Sequence, residues 1–135
     1  MTSRVDIEKS ITSLFAARLR GDLEGVMREL APDATFRFNG RGTRVAALGQ
    51  PSKGTAAIKP IVQQLIDTWR FDDWRQRTLL IDGERALLHW SAVVTCIPTG
   101  RTERFDVFDL ITFHNGKIVD YHQSTDTALM MALAG

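Results

Sequence analysis

The sequence is poor in the residues that build cross-linked or metal-bound sites. Cys96 is the only cysteine among 135 residues, so no disulfide can form within the chain. Three histidines are present, and none has the HxxxH or HxxE spacing typical of metal sites. A lone thiol suits a reducing compartment, so we expect a cytoplasmic protein that binds no metal.

Long apolar runs and an excess of one charge are also missing. No apolar stretch approaches the roughly 18 residues that cross a bilayer, and MTSRVDIEKS at the N-terminus lacks the apolar run of a signal peptide. Seventeen basic and sixteen acidic side chains give a net charge of +1, without a basic cluster. We therefore expect neither a membrane nor a nucleic acid as partner. The length of 135 residues predicts one domain spanning residues 1–135.

The first third of the chain has the 3.6-residue period of helices. Ser3 and Asp6 predict a capping box at the start of a helix. Its apolar stripe consists of Ile7, Ile11, Leu14, Phe15 and Leu19. Asp22 predicts the start of a second helix that runs to Leu30 and is stopped by Pro32.

A strand, a loop and a third helix are predicted next. The alternating DATFRFN segment at 33–39 predicts a strand, and the glycine- and arginine-rich residues 40–54 predict a mobile loop or lid. After Thr55, helical spacing relates Ile58, Ile61, Val62, Leu65, Ile66 and Trp69. Pro60 lies about one turn into this helix and predicts a late start or a kink.

From Phe71 onward the apolar period changes to two. Strands are predicted near 72–81, 85–96, 102–114 and 117–125, with turns between them. Helices that precede an antiparallel meander indicate the α+β class. We expect three helices of the N-terminal half to pack on a curved, mixed and mainly antiparallel sheet, with a pocket between the two layers.

One carboxylate interrupts an apolar strand face. Every second residue from Phe105 to Phe113 is apolar except Asp109. Because alternate residues share a sheet face, the sequence places this acid in the core, where desolvation raises a carboxyl pKa. A buried carboxyl group can act as an acid or as a base, or it can be a structural residue held by local hydrogen bonds.

The turn after this strand decides which residues accompany Asp109. A two-residue loop, Asn115-Gly116, would place it opposite His122, whereas a three-residue loop from His114 to Gly116 would place it opposite Tyr121. The apolar pattern of the next strand favours the three-residue loop. We therefore predict that Tyr121 and Gln123 face the pocket and that His122 faces outward.

The chain resembles the nuclear transport factor 2-like superfamily, and within it the SnoaL-like polyketide cyclases and the steroid delta-isomerase group. The resemblance is carried by Gly21-Asp22-Leu23, Ala31-Pro32-Asp33-Ala34-Thr35, Gly54-Thr55-Ala56-Ala57-Ile58 and Gly116-Lys117-Ile118-Val119. It implies a cone-shaped α+β fold, a homodimer formed through the outer sheet face, and an apolar pocket. Carried over by motif, the steroid isomerases' oxyanion aspartic acid matches Asp109. Their basic aspartate and their tyrosine fall near Phe38 and Leu14, which cannot transfer protons.

The sequence leaves open which face of the strand at residues 85–96 meets the pocket. Family spacing would turn His89 and Ser91 towards the pocket, where His89 could orient Asp109 or act as a base. The more apolar alternate set instead buries Trp90 and leaves His89 outside. Side chains that could line an apolar ligand site are Leu14, Phe15, Phe36, Phe38, Trp69 and Trp74.

The leading hypothesis is a cofactor-independent enzyme. It would isomerise, cyclise or hydrate a small apolar carbonyl-containing or polycyclic substrate, with Asp109 as acid or base. Tyr121, Gln123 and His89 would polarise or orient that substrate. The alternatives are a homodimeric protein that holds an apolar metabolite unchanged, and a stress or assembly protein that works through its outer sheet face.

Overall fold

The computed structural model of the chain describes residues 1–40 and 50–135. Within them, four helices pack on one six-stranded sheet. The elements are α1 (Arg4–Leu19), α2 (Leu23–Met27), β1 (Leu30–Phe38), β2 (Ser52–Lys53), α3 (Thr55–Thr68), β3 (Trp69–Asp82), β4 (Arg85–Cys96), β5 (Thr102–His114), β6 (Lys117–Ser124) and α4 (Thr127–Ala134). The predicted α+β class is confirmed.

The helix starts follow from capping side chains. Ser3 precedes α1 and accepts a hydrogen bond from the N–H of Asp6 at 3.1 Å. Asp22 precedes α2 and accepts one from the N–H of Gly25 at 2.9 Å. A cap of this kind satisfies an N–H that lacks a partner within the helix and contributes about 1 kcal/mol. Both predicted starts are confirmed.

The second helix is shorter than predicted, because the chain that follows it pairs with β6 as a strand. α2 ends at Met27, and β1 begins at Leu30, which pairs in parallel with Ile118. Pro32 therefore lies inside a strand instead of ending a helix. Its missing N–H is tolerated because the β1–β6 register is interrupted between Leu30 and Thr35.

α3 is a continuous helix from Thr55, so the predicted late start is wrong although Pro60 lies within it. Trp69, predicted on its apolar face, instead opens β3 and remains buried. The predicted lid falls largely on residues 41–49, which lie outside the described residues. Ser52 and Lys53, at its end, form the short strand β2.

The sheet has the order β2-β1-β6-β5-β4-β3. Only the β1–β6 pair is parallel among the strands that the structure describes. Helices α1, α2 and α3 lie against the inner face. The core between the layers contains the alternate residues of β4 and β5 and the apolar stripe of α1, except Leu19, which is exposed. No helix of residues 1–40 or 50–135 is long and apolar enough to cross a membrane.

Candidate functional site

A cavity of about 110 Å³ lies between the helices and the inner face of the sheet. The predicted lining residues that reach it are Leu14, Phe15, Phe36, Phe38, Trp69, Tyr121 and Gln123. Its remaining surface is mostly aliphatic and aromatic, with few polar side chains. Such a cavity suits an apolar ligand that a small number of polar groups would orient.

Asp109 is the polar centre behind this cavity. Its side chain is 0% exposed and is enclosed by three donors from neighbouring strands. Oδ2 accepts hydrogen bonds from Tyr121 Oη at 2.6 Å and from Trp90 Nε1 at 2.7 Å. Oδ1 accepts one from Gln123 Nε2 at 3.0 Å. All three donors line the cavity, whereas Asp109 lies behind them.

Burial dominates the electrostatics of this cluster. Desolvation raises the pKa of Asp109 from 3.8 to about 6, although the hydrogen bonds from Tyr121, Trp90 and Gln123 act in the opposite direction. Desolvation and the neighbouring carboxylate raise the pKa of Tyr121 well above its ordinary value of 10. At neutral pH, Asp109 is therefore mostly ionised, and the Tyr121 hydroxyl keeps its proton.

The hairpin that brings Tyr121 inward differs from the predicted one. Asn115 and Gly116 form a two-residue loop, both with positive φ, and His114 pairs with Lys117. The predicted three-residue loop is therefore wrong. A β-bulge nevertheless turns Tyr121 inward. Phe113 pairs with Ile118 while Thr112 pairs with Asp120, which leaves Val119 as the extra residue.

The bulge changes the partner of Asp109 as well. Asp109 pairs with Gln123, and Tyr121 pairs with Ile111, so the tyrosine reaches the carboxylate diagonally across the strands. The extra residue also allows Ile118 and Tyr121 to be buried together, which a strict alternation would forbid. The inward orientation of Tyr121 and Gln123 is confirmed, and His122 lies on the opposite face as predicted.

His89 and Ser91 lie on the outer face of β4, so the expectation that they face the pocket is wrong. His89 Nε2 lies 2.8 Å from Asp106 Oδ1, and Ser91 Oγ accepts a hydrogen bond from Arg77 Nε at 2.8 Å. Trp90 faces inward between them. The alternation of β4 predicted this arrangement correctly, since its more apolar set is the buried one.

Two functional candidates were missed at the sequence level. The alternation of β4 predicts Trp90 only as a core residue, yet its indole N–H donates a hydrogen bond to Asp109. Arg18 lines the cavity and carries a positive charge there. A signal for it existed, because Arg18 follows Leu14 by four residues and Phe15 by three, which places it on the apolar face of α1.

Comparisons with known proteins show the family and the fold of the chain. The family model described as SnoaL-like domain matches residues 11–121. The chain belongs to this family. The comparison with curated proteins yields no match.

Several solved structures share the fold seen here. A nuclear transport factor 2-like protein from Burkholderia xenovorans LB400 is 22% identical, with all of both chains covered and a TM-score of 0.82. A proposed isomerase from Rhodopseudomonas palustris is 17% identical, with 99% and 98% of the two chains covered and a TM-score of 0.80. A proposed SnoaL-like polyketide cyclase from Jannaschia sp. CCS1 is 12% identical, with 96% and 91% covered and a TM-score of 0.80.

The cavity of this SnoaL-like domain is bordered by the buried Asp109 carboxylate, by neutral donors and by the Arg18 guanidinium. Among the residues that the structure describes, no group of three or more histidine, cysteine, aspartate or glutamate side chains could hold a metal ion. Cys96 is buried. Tyr121, Gln123 and Trp90 present hydrogen-bonding groups at the cavity, and each of them is bonded to Asp109.

Proposed function

We propose that the protein is a cofactor-independent acid–base enzyme of the isomerase, cyclase or hydratase type. Its substrate is a small apolar carbonyl-containing or polycyclic molecule held in the cavity. One observation carries the proposal: the enclosed Asp109 shares a 2.6 Å hydrogen bond with Tyr121, whose ring lines the cavity. The names of the related isomerase and polyketide cyclase are consistent with this chemistry.

In this proposal, Asp109 acts through Tyr121 because it has no surface of its own in the cavity. The phenol oxygen accepts a proton from a carbon next to the substrate carbonyl, while the phenol proton passes to Asp109 Oδ2. The electrons of the broken C–H bond form an enolate. Return of the proton to another carbon completes an isomerisation, with no net change in protons on the enzyme.

The pKa of Asp109 suits this role. A base is most effective when its pKa lies near the working pH, and the value of about 6 is close to neutrality. Gln123 holds the second carboxylate oxygen in place, and Trp90 shares the first with Tyr121. Both side chains line the cavity, where they can also contact the substrate.

Deuterium exchange of a simple ketone tests the proposal without knowledge of the natural substrate. The probe is 2-tetralone, an apolar bicyclic ketone whose α-protons exchange with D2O through an enolate. NMR should show exchange faster than in buffer alone, reduced about a hundredfold or more in Asp109→Asn and Tyr121→Phe, which remove the base and the relay. Asp106→Asn is the matched control, because this carboxylate lies on the outer face of the same strand.

Retained exchange in a folded Asp109→Asn variant would exclude Asp109 as the base. Retained exchange in Tyr121→Phe alone would exclude the relay and leave another path to the carboxylate. Far- and near-ultraviolet circular dichroism of each variant distinguishes loss of chemistry from loss of fold.

A non-catalytic binding protein is the second candidate function. It is favoured by the complete enclosure of Asp109, whose oxygens already accept three hydrogen bonds from the protein. Phe38 at the cavity also favours this alternative, since by the sequence resemblance the basic aspartate of the steroid isomerases falls near this residue, which cannot accept a proton. Saturable binding of 2-tetralone with exchange no faster than in buffer would support this alternative.

We further propose that two copies associate through the outer sheet face. Four large apolar side chains of β3, β4 and β5 are exposed there: Leu80, Leu87, Phe108 and Leu110. Leu87 pairs with Leu80 on one side and with Leu110 on the other, so they form a continuous patch. Sedimentation should detect a dimer in the wild type and a monomer in Leu87→Glu; a wild-type monomer would refute the association.

A further inference from the structure

Arg18 is a cation held at the wall of an apolar cavity. Its Nη2 donates hydrogen bonds to the carbonyl oxygens of Leu65 at 3.1 Å and Trp69 at 2.6 Å. The guanidinium carbon lies 4.1 Å from the centre of the Phe71 ring, which is a cation–π distance. The group is therefore fixed in position before any ligand arrives.

The positive charge of Arg18 has no carboxylate partner in residues 1–40 and 50–135. Both of its hydrogen bonds there use Nη2, which leaves donors on Nε and Nη1 for a further partner. Burial lowers the pKa of this guanidinium to about 10, so it remains protonated at neutral pH. Buried charges are normally paired, and this one has only two carbonyls and an aromatic face.

We infer that the cavity takes an amphiphilic anion, with an apolar body and a carboxylate or enolate that pairs with Arg18. The inference rests on the proposed ligand-binding role of the cavity, but not on catalysis. A guanidinium presents parallel N–H groups that match two oxygens of a planar anion.

The charges around the cavity also orient the ligand. Arg18 and the ionised Asp109 form no ion pair with each other, and the polar lining residues Tyr121, Gln123 and Thr125 are neutral. The anionic end of a ligand is attracted to Arg18 and repelled by Asp109. The apolar end therefore lies towards Tyr121, the side from which the proposed proton transfer would occur.

Titration calorimetry with two matched ligands tests the inference. The probes are 2-naphthoate, an anion at neutral pH, and 2-naphthamide, a neutral compound of nearly the same shape. The wild type should bind the anion about ten- to a hundredfold more tightly, as expected for a charge-assisted pair. Arg18→Met should remove this preference and leave the affinity for the amide within about threefold.

Two further variants keep the result interpretable. Arg18→Lys retains the charge and should keep part of the preference, even if Arg18→Met fails to fold. Arg4→Met removes an exposed arginine from the first turn of the same helix and should change neither affinity. Equal wild-type binding of both probes, no wild-type binding of 2-naphthoate at millimolar concentration, or an undiminished preference in folded Arg18→Met would each overturn the inference. Because calorimetry measures binding, failure of the exchange experiment leaves this test unaffected.

Discussion

Burial of Asp109 should make the protein less stable as the pH rises. The unfolded chain releases the Asp109 proton near the ordinary pKa of 3.8, whereas the folded protein retains it up to about 6. Between these values the folded state binds more protons, so the free energy of unfolding falls with increasing pH. Most carboxylates with a shifted pKa behave in the opposite way, as Asp22, Asp73 and Glu84 do here, because their pKa values are lowered.

The size of the effect follows from the shift. A difference between 3.8 and about 6 corresponds to about 3 kcal/mol once both states are ionised. About 2 kcal/mol of this is lost between roughly pH 4.5 and pH 7.5, because the unfolded state is already largely ionised at the lower value. Asp109→Asn keeps the shape of the side chain and removes the titration.

Urea unfolding of the wild type and Asp109→Asn across this pH range measures the effect. The lost and altered hydrogen bonds in the variant give a constant difference in stability, whereas the titration gives a difference that changes with pH. We expect the wild type to lose about 2 kcal/mol relative to the variant as the pH rises. Parallel curves would show that the pKa is ordinary. A relative gain by the wild type would show that the three hydrogen bonds outweigh desolvation.

Three other outcomes are expected. The enzyme-dependent exchange rate of 2-tetralone should rise with pH through about 6, as Asp109 becomes ionised; a flat profile by NMR would argue against it as the base. Deletion of Val119 should remove the bulge but leave Tyr121 paired with Ile111 and facing inward, so urea unfolding should show a loss of no more than about 2 kcal/mol; an outward Tyr121 and a larger loss would contradict this register. Ile58→Ala should cost about 2–5 kcal/mol because that side chain is fully buried, and Leu80→Ala, which is mostly exposed, should cost far less unless a partner covers it.

Much of the fold could be predicted because its local signals are independent of distant contacts. Alternation and turn residues gave the bounds of β4 and β5 as the structure has them, and Ser3 and Asp22 marked the starts of two helices. The buried position of Asp109 followed from one period-two pattern. Each of these features depends on neighbours within a few residues of sequence.

The features that were missed depend on pairing between distant segments. The start of β1 at Leu30 is set by its parallel partner Ile118, which no local pattern reveals. The bulge at Val119 likewise depends on how β6 pairs with β5. The outward orientation of His89 was one of two open possibilities; the alternation of β4 indicated it correctly, whereas the family spacing pointed to the pocket.

The separation of Arg18 from Asp109 is the feature that gives the cavity its chemical character. A direct ion pair would have neutralised both groups and left little polarity for a ligand. Instead, three side-chain donors satisfy Asp109, and two backbone carbonyls with an aromatic ring hold Arg18. The cavity lining around them is largely apolar, so the resulting field is weakened less than it would be in bulk water. A ligand with an anionic end and an acidic C–H bond would respond to both charges, because Arg18 pairs with the anionic end while Asp109 receives the C–H proton through Tyr121.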